Sequence, residues 1–206
     1  MHLLKTGCAV LDVGGESTRP GAKEVASTIE IGRIMGVIKK IKKSVPSAII
    51  SVDTRKSIVA EKALEAGASM VNDISAGSFD KKMFRVVAKH RAGICLMHSQ
   101  GLPENMQNKP HYDEILLDLY DYFQEKIAEA QSKGIPREKI VIDPGIGFGK
   151  NLHHNLEIIN KISLFLGLGR PVMIGISRKS FIGEIISERE PSVSYTHLRA
   201  HETFAN

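Results

Sequence analysis

Polar residues able to bind a ligand recur at one kind of position in this 206-residue chain. Each lies at or near the end of a short apolar run that predicts a β-strand. An apolar strand does not require a polar residue at that position in order to fold. These residues are Asp12, Asp53, Asn72, Asp73, His98, Asp143 and Ser177, the last leading to Arg178 and Lys179. A buried aspartate with a structural partner explains any single one of them. Six such strand ends in one chain instead predict a site on which they converge.

Apolar runs alternate with helical patterns along the whole chain, as in parallel strands joined by crossover helices. Strands are predicted at residues 9–15, 48–54, 69–75, 93–99, 139–145 and 171–177. Helices are predicted near residues 28–43, 55–66, 80–90, 113–133, 152–166 and 179–187. Gly67 and Gly134 mark helix ends, and Asn151 is a candidate N-cap. The pattern indicates a β/α sheet of the barrel kind, whose active sites lie at the carboxyl ends of the strands.

The composition is that of an ordinary globular domain, with 42% hydrophobic and 25% charged residues. No apolar run approaches the ~20 residues needed to span a bilayer, and we expect no secretory signal, because the first seven residues lack a long apolar core. Cys8 and Cys95 lie in strand-like contexts and are expected to be reduced core residues of a cytoplasmic protein. The basic run at residues 39–43 is typical of the solvated end of an amphipathic helix. We therefore expect neither a nucleic-acid nor a membrane partner.

Two glycine-rich loops after predicted strands carry candidate binding residues. In "DVGGESTRPGA" (residues 12–22), Arg19 stands on a flexible loop and is able to close over an anion or an aromatic amine. In "DPGIGFGK" (residues 143–150), the glycines let the backbone approach a ligand, and Phe148 offers an aromatic face. This second loop lacks the spacing of a phosphate-binding P-loop, and the acidic residue at its mouth would repel phosphate.

A third stretch, "GISRKSFIGE" (residues 175–184), joins a predicted strand end to a helix start. Backbone N–H groups at that helix start, with Lys179 and Ser180, are suited to a carboxylate or an oxygen-rich ring. Arg178 is equally well explained by a structural ion pair.

Six stretches in chain order resemble the motifs of the dihydropteroate synthases, a family of the folate pathway. They are "GGESTRPGA", "SVDTRK", "NDIS", "LMHSQGLPENMQ" followed by a tyrosine, "DPGIGFGK" and "GISRKSFIGE", all between residues 12 and 184. One such string is compatible with chance, but six in order make the resemblance specific. It implies an α/β fold, the (β/α)8 TIM barrel, of which we expect strands two to seven here and strands one and eight to be missing.

The resemblance implies a transferase that joins 4-aminobenzoate to 7,8-dihydropterin-6-ylmethyl diphosphate, giving 7,8-dihydropteroate and diphosphate with the help of Mg²⁺. Asp143 and Asn72 would bind the pyrimidine edge of the pterin through charge-assisted hydrogen bonds. Asp53 would accept from the ring and stabilise positive charge as the C–O bond breaks. Lys179 would donate to the ring, so Asp53 and Lys179 are the catalytic candidates.

The second substrate would be held largely by loop residues. The residues implied for the aminobenzoate are Thr18, Arg19, Phe148, Lys179 and Ser180, and Gly175 is a further substrate-binding candidate. No general base is required if an aromatic amine attacks a cation-like carbon. We therefore expect His98 to be a rim or packing residue, and Asp12 and Asp73 to make mainly structural hydrogen bonds near the rim.

Both ends of the chain depart from the family pattern. The family's first strand carries an asparagine that helps to bind the metal and the diphosphate, and only eleven residues precede Asp12, so we expect no metal ligand here. Arg199 and His201 imitate the family's Arg-x-His pair, but the residues before them alternate without the apolar face of an inner strand. "VSYTHLRAHET" also looks like transposon-derived adapter sequence. We predict a partial pterin-binding barrel domain at residues 1–190 and a non-native tail at residues 191–206.

Two other functions remain open. A related pterin-binding methyltransferase, using methyl-tetrahydrofolate, could share Asp53, Asn72 and Asp143 but is not expected to keep "STRPG" and "SRKSFIG". A pterin-binding fragment without turnover is the other, because a barrel that lacks two adjacent strands has unpaired edges and marginal stability. Full-length relatives are expected to be homodimers.

Overall fold

The computed structural model describes residues 7–19, 21–101, 110–177, 179 and 182, in which strands and helices alternate. The strands are β1 (Val10–Gly14), β2 (Ile49–Asp53), β3 (Met70–Asp73), β4 (Gly93–Met97) and β5 (Ile140–Asp143). The α-helices are α1 (Ser27–Ser44), α2 (Ser57–Glu65), α3 (Met83–Lys89), α4 (Ile115–Ser132) and α5 (Leu152–Asn160). Two 3₁₀ helices lie at Arg137–Lys139 and Ile162–Leu168.

The five strands form one parallel sheet in the order of the sequence, from β1 to β5. Asp53 pairs with Asn72 across β2 and β3, and Met97 pairs with Asp143 across β4 and β5. Because parallel crossovers are right-handed, a sheet wound in one direction carries all of its helices on one face. This is the arrangement of a barrel wall, and it confirms the predicted α/β class.

The helix-facing side of the sheet forms the hydrophobic core. Residues two apart on a strand share a face, and those on this face are fully buried. They are Ile50, Val52, Val71, Ile94, Leu96, Ile140 and Ile142, each 0% exposed. They pack with helix residues such as Ile38 of α1 and Phe123 of α4. The alternate strand residues therefore point to the opposite side, away from the helices.

Most predicted boundaries agree with the structure to within three residues or fewer, but the helix predicted at residues 152–166 is wrong in its second half. The α-helix ends at Asn160, and a 3₁₀ helix follows at Ile162–Leu168. Phe165 and Leu168 are both buried there. Their spacing of three residues matches the three residues per turn of a 3₁₀ helix, so that geometry faces both of them to the core.

The strand predicted at residues 171–177 is also shorter than expected. Only Val172 forms a parallel bridge, to Ile142, and Met173 N donates to Ile142 O at 2.8 Å. Pro144 has no backbone N–H, so β5 has no donor with which to continue the ladder beyond Asp143. The helix predicted at residues 179–187 and the tail at 191–206 lie almost wholly outside the described residues.

The sequence signals for helix ends are confirmed. Gly67 and Gly134 have φ of +106° and +92°, the left-handed conformation that ends a helix. Asn151 caps α5: its side chain accepts from His154 N at 2.8 Å, and Asn151 N donates to the His154 ring at 3.3 Å. This reciprocal pair is a capping box, which fixes where α5 begins after the glycine-rich loop.

The helices and the two thiols were also considered in the sequence, and the thiols differ in their surroundings. No helix there is both long and apolar enough to cross a membrane. Cys8 and Cys95 are free thiols. Cys95 is fully buried, as expected of a core residue, whereas Cys8 is only partly buried, so its predicted place in the core is wrong.

Candidate active site

A cavity of about 260 Å³ opens on the side of the sheet that faces away from the helices. Every strand contributes to its wall, and Asp53 and Asp143 are the last residues of their strands. The strand residues include Asp12, Ser51, Asp53, Asn72, Cys95 and Asp143. Loop residues complete the wall. The carboxyl ends of parallel strands are where barrel enzymes build their active sites, so the position itself favours a catalytic or binding role.

Seven of the nine predicted substrate-binding residues line this one cavity. They are Thr18, Asp53, Asn72, Asp143, Phe148, Gly175 and Lys179. Arg19 is exposed on the same loop as Thr18 and contributes nothing to the wall. Ser180 lies outside the described residues. The structure therefore gathers residues that are up to 161 positions apart in sequence, from Thr18 to Lys179.

Two buried oxygens in the cavity find no hydrogen-bond donor among the described residues: Asp53 Oδ1 and Asn72 Oδ1. The amide of Asn72 is held in place, because Asn72 Nδ2 donates to Asp12 Oδ2 at 3.1 Å. A buried acceptor without a donor costs roughly 1–3 kcal/mol. The cavity is thus complementary to a ligand that presents N–H groups.

The charge around Asp53 makes this acceptor unusual. Burial raises the pKa of Asp53 well above its ordinary value, and the nearby charges of Asp12 and Glu30 raise it further. Burial also raises the pKa of the Cys95 thiol, helped by the charge of Asp143. A ligand that donates hydrogen bonds or carries positive charge would offset both effects, whereas an anion placed deep in the cavity would add to the repulsion.

The loop after β5 places Phe148 and Lys179 together at the cavity wall. Asp143 Oδ1 accepts from Gly145 N at 2.8 Å, which turns the chain sharply after the strand. Gly145 has φ of +68°, and a Cβ at this position would overlap the backbone oxygen of His98. The Lys179 ammonium lies 4.0 Å from the centre of the Phe148 ring, a cation–π contact. Burial lowers the pKa of Lys179, and the charge of Asp143 partly offsets this.

Lys150 fixes this loop from behind, a role that the sequence did not reveal. Its side chain is buried, at 3% exposed. The amine lies 3.0 Å from His98 Nδ1 and donates to Gly145 O at 3.1 Å and to Phe148 O at 3.0 Å. Burial lowers the pKa of Lys150 to about 7, with partial compensation from Asp143. A lysine at the end of a glycine-rich loop gives no sequence signal that distinguishes it from a solvated one.

His98 lies beside the loop and outside the cavity wall. Its ring packs edge-on against Tyr122, with ring centres 4.8 Å apart. Burial lowers the pKa of His98 well below its ordinary value, and the neighbouring Lys150 lowers it further. A neutral imidazole in this position accepts from Lys150 and packs against Tyr122, as expected of a packing residue.

Asp73 and Asp12 differ in their surroundings. Asp73 is fully buried and accepts hydrogen bonds from Ser75 N, Ser75 Oγ and Gly77 N, all within 2.8 Å. It therefore shapes the turn after β3. Asp12 anchors Asn72 and also lines the cavity, so it contributes charge to the site in addition to its structural hydrogen bond.

A buried ion-pair cluster under the β1–α1 loop was not anticipated either. It consists of Glu16, Glu30, Arg55 and Lys56, each with a side chain no more than 8% exposed. The sequence "SVDTRK" showed that Arg55 and Lys56 follow a strand, but only the fold brings the two acids to them.

Within the part of the chain that the structure describes, the cavity carboxylates do not form a group of three ligand atoms close enough to share one ion. Among the described residues, one group of possible ligand atoms is compact enough for an ion: Glu61, Glu65 and His90, on α2 and at the end of α3. It lies outside the cavity, and Lys89 and Lys62 already pair with its glutamates. Magnesium usually binds substrate phosphates with only one or two carboxylates, so the metal expectation stays a prediction.

Comparison with known proteins identifies the class to which this sheet and cavity belong. The family described as "Pterin binding enzyme" matches residues 1–205, so the chain belongs to the pterin-binding enzymes. Two curated relatives are dihydropteroate synthases. That of Bacillus subtilis (strain 168) is 42% identical over 185 residues, and that of Escherichia coli (strain K12) is 40% identical over 185 residues. The resemblance seen in the sequence is confirmed.

Solved structures agree on the fold. A dihydropteroate synthase from Clostridium difficile, crystallised in the presence of pteroic acid, has a TM-score of 0.87 at 40% identity and is covered over 71% of its length. The Xanthomonas albilineans enzyme with 4-aminobenzoic acid has a TM-score of 0.86 at 35% identity, also over 71%. These matches cover 95% and 96% of this chain. The predicted TIM barrel class is thereby confirmed.

The curated matches are longer than this chain. Each covers 90% of it, but the chain spans only 62% of the B. subtilis relative and 65% of the E. coli relative.

Proposed function

We propose that the cavity binds the pterin and aminobenzoate substrates of a dihydropteroate synthase. The observation that carries this proposal is the pair of buried acceptors, Asp53 Oδ1 and Asn72 Oδ1, which lack donors in a cavity that Asp143 also lines. The pyrimidine edge of a pterin presents a row of N–H groups of the kind these oxygens need. The ligands named with the relatives, pteroic acid and 4-aminobenzoic acid, are the product type and one substrate of that reaction.

The proposed reaction transfers the pterin methylene group from an oxygen to a nitrogen. The amine of 4-aminobenzoate forms a C–N bond as the C–O bond to diphosphate breaks, and the amine then loses a proton to solvent. Positive charge develops on the pterin methylene carbon, and the buried Asp53 carboxylate stabilises it electrostatically. Lys179 donates to the pterin ring, and Phe148 and Thr18 border the space for the aminobenzoate.

Three further features belong to the proposal and rest on the family resemblance. Mg²⁺ accompanies the diphosphate, because magnesium characteristically binds substrate phosphates with one or two carboxylates. The protein acts in the cytoplasm, which suits its two free thiols. The full-length relatives act as homodimers.

A pterin-binding protein without turnover is the second candidate. It requires only the pterin acceptors that line the cavity, which are present among the described residues. The methyltransferase alternative has less support, because the curated relatives are dihydropteroate synthases and the chain keeps "STRPG" and "SRKSFIG".

Calorimetry with 6-hydroxymethylpterin, paired with an assay for dihydropteroate from both substrates and Mg²⁺, separates the candidates. We expect Asp143→Ala to weaken pterin binding roughly 30-fold to 150-fold, since a charge-assisted hydrogen bond of about 2–3 kcal/mol is lost. Asp121→Ala is the matched control, because it removes an exposed carboxylate from α4. Product formation supports the synthase, and pterin binding without product supports the second candidate. A wild-type chain that binds no pterin contradicts both.

A further inference from the structure

The loop between β1 and α1 is tied to the next strand by Glu16. Glu16 Oε1 accepts from Arg55 Nε at 3.1 Å, and Glu16 Oε2 accepts from Lys56 Nζ. Glu16 Oε2 also accepts from Val25 N at 2.7 Å, at the far end of the same loop. One carboxylate therefore joins the two ends of the loop to each other and to the segment that follows β2.

The rest of the ion-pair cluster holds this contact in place. Lys56 Nζ donates to Glu30 Oε2 at 2.8 Å and to Val25 O at 2.7 Å. Glu30, which is 1% exposed, also accepts from Thr54 Oγ1 at 2.6 Å. The cluster balances two acids with two cations away from water. Removing one member of such a buried set leaves an uncompensated charge, so the contacts are strongly coupled.

The loop segment that Glu16 holds in place carries two of the residues predicted to contact the aminobenzoate. Thr18, two residues after Glu16, lines the cavity, whereas Arg19 is exposed beside it. Behind Glu16, Arg33 Nη1 donates to Gly15 O at 2.8 Å, so the loop is fixed on that side as well. Its base is thus anchored by buried groups, while Thr18 reaches the cavity wall.

The residues proposed to contact the pterin are held by the sheet and not by the loop. Asp53, Asn72 and Asp143 lie on the strands, whose backbone is held by the parallel ladder. Loosening the loop base would leave that ladder intact. The two halves of a ligand that fills the cavity are therefore positioned by separate supports, one of strand and one of loop. The charge of Glu16 also raises the pKa of Asp53, but less than burial and the charges of Asp12, Glu30 and Asp73 do.

We propose that Glu16 is a positioning residue that acts through the β1–α1 loop and sets affinity for the aminobenzoate part of the ligand, without setting affinity for the pterin part. This inference rests on the proposed function for its ligand. The order of the loop, however, is measurable without any ligand.

The test compares Glu16→Gln with Glu24→Gln. Glu24 lies on the same loop and approaches the same arginine, at 3.8 Å from Arg55 Nη2, but its side chain is 53% exposed. The two variants remove the same charge. Hydrogen exchange of residues 17–25 reports the order of the loop. Calorimetry with 6-hydroxymethylpterin and with pteroic acid reports the pterin half alone and the two halves together.

We expect Glu16→Gln to speed exchange in residues 17–25, with strand peptides unchanged. It should weaken pteroic acid binding about tenfold and change hydroxymethylpterin binding less than about twofold, tenfold being ~1.4 kcal/mol. Glu24→Gln should leave all three readouts as in wild type. Equal weakening of both ligands, or unchanged exchange, overturns the proposal.

Two further outcomes are informative. If Glu16→Gln does not fold, Arg55→Gln removes one of the contacts to Glu16 and should give the same selective loss, at smaller size. A folded Arg55→Gln protein with faster loop exchange but unchanged pteroic acid binding contradicts the proposal. If the wild type binds neither ligand, the proposed function is wrong. Faster exchange in Glu16→Gln would still show that Glu16 orders the β1–α1 loop.

Discussion

The surroundings of the Asp53 carboxyl group are unfavourable in the free protein and would become more favourable when a ligand donates a hydrogen bond to it. Its carboxyl group is buried, close to the charges of Asp12 and Glu30, and one of its oxygens has no donor among the described residues. Such a residue costs folding free energy until a donor arrives. Functional sites commonly carry costs of this kind, and relieving them raises stability while reducing function.

Asp53→Asn should make the free protein more stable at neutral pH. The raised pKa means that the folded state holds a proton more tightly than the unfolded chain, so wild-type stability is greatest below the unfolded pKa of ~3.9 and falls as pH rises through the folded pKa. Asparagine has no charge to bury. We expect the variant to melt above wild type at pH 7, by roughly 2–4 °C per kcal/mol gained, with the gain shrinking toward pH 4. The same variant should bind pterin more weakly.

Thermal unfolding at pH 4 and pH 7 measures this difference. Asp121→Asn, an exposed change on α4, serves as the control and should show the same melting temperature as wild type at both values. An Asp53→Asn protein that gains as much at pH 4 as at pH 7 would show that charge burial is not the cause.

The residues that sequence could predict are those whose position on a strand determines their surroundings. Asp53, Asn72 and Asp143 end apolar runs, and parallel strands must bring those ends together. Glu16 and Lys150 gave no such signal. Their burial depends on which loop folds over them, and contacts such as that between Lys150 and His98, 52 positions apart, have no local pattern. Charged residues in polar loops are usually solvated, so sequence alone favours the wrong environment for both.

Among the elements, the β5–α5 loop is the most tightly specified. Asp143 turns it, Lys150 bonds its carbonyls, and Asn151 starts the helix that follows. The limits of prediction at this scale have similar causes. The strand at residues 171–177 stops pairing because Pro144 removes the donor, and the helix from residue 152 changes type because its apolar spacing becomes three.

Gly145→Ala should disrupt this loop. The residue has a left-handed φ of +68°, and a methyl group would overlap the His98 oxygen, which is backbone and cannot rotate away. We expect a loss of ~3 kcal/mol or more in the free energy of unfolding, together with weaker pterin binding. Urea unfolding followed by circular dichroism measures the first.

Gly36→Ala is the matched control for this substitution. Gly36 lies within α1 with open space at the Cβ position, so the same change should stabilise by about 0.5–1 kcal/mol. A Gly145→Ala protein as stable as wild type would mean that the loop readily adopts another path.

At the scale of the whole molecule, the two faces of the sheet have different roles. The helix side is a dry core, and the other side holds the cavity and its acids. An identical change should therefore have different consequences on the two faces. Val52 is 0% exposed on the core side, whereas Val141 lines the cavity.

Val52→Ala should cost roughly 2 kcal/mol in the free energy of unfolding, because two buried methyl groups are lost and a void remains. Val141→Ala should cost less than about 1 kcal/mol, since its side chain already borders open space. Urea denaturation of both variants tests this, with equal slopes showing that the unfolded states are comparable. Equal losses would mean that the cavity side is as closely packed as the core.

The two buried oxygens that lack donors among the described residues, Asp53 Oδ1 and Asn72 Oδ1, also determine which molecules the cavity would bind poorly. A compound of the same shape as a pterin, but with C–H where the pterin has N–H, would fill the space and leave Asp53 Oδ1 and Asn72 Oδ1 sealed from water without donors. Sites built on such acceptors reject close look-alikes by factors of about 10⁴ or more, far beyond what shape alone achieves. The same two atoms that burden the empty protein would thus give it its discrimination among metabolites of similar size.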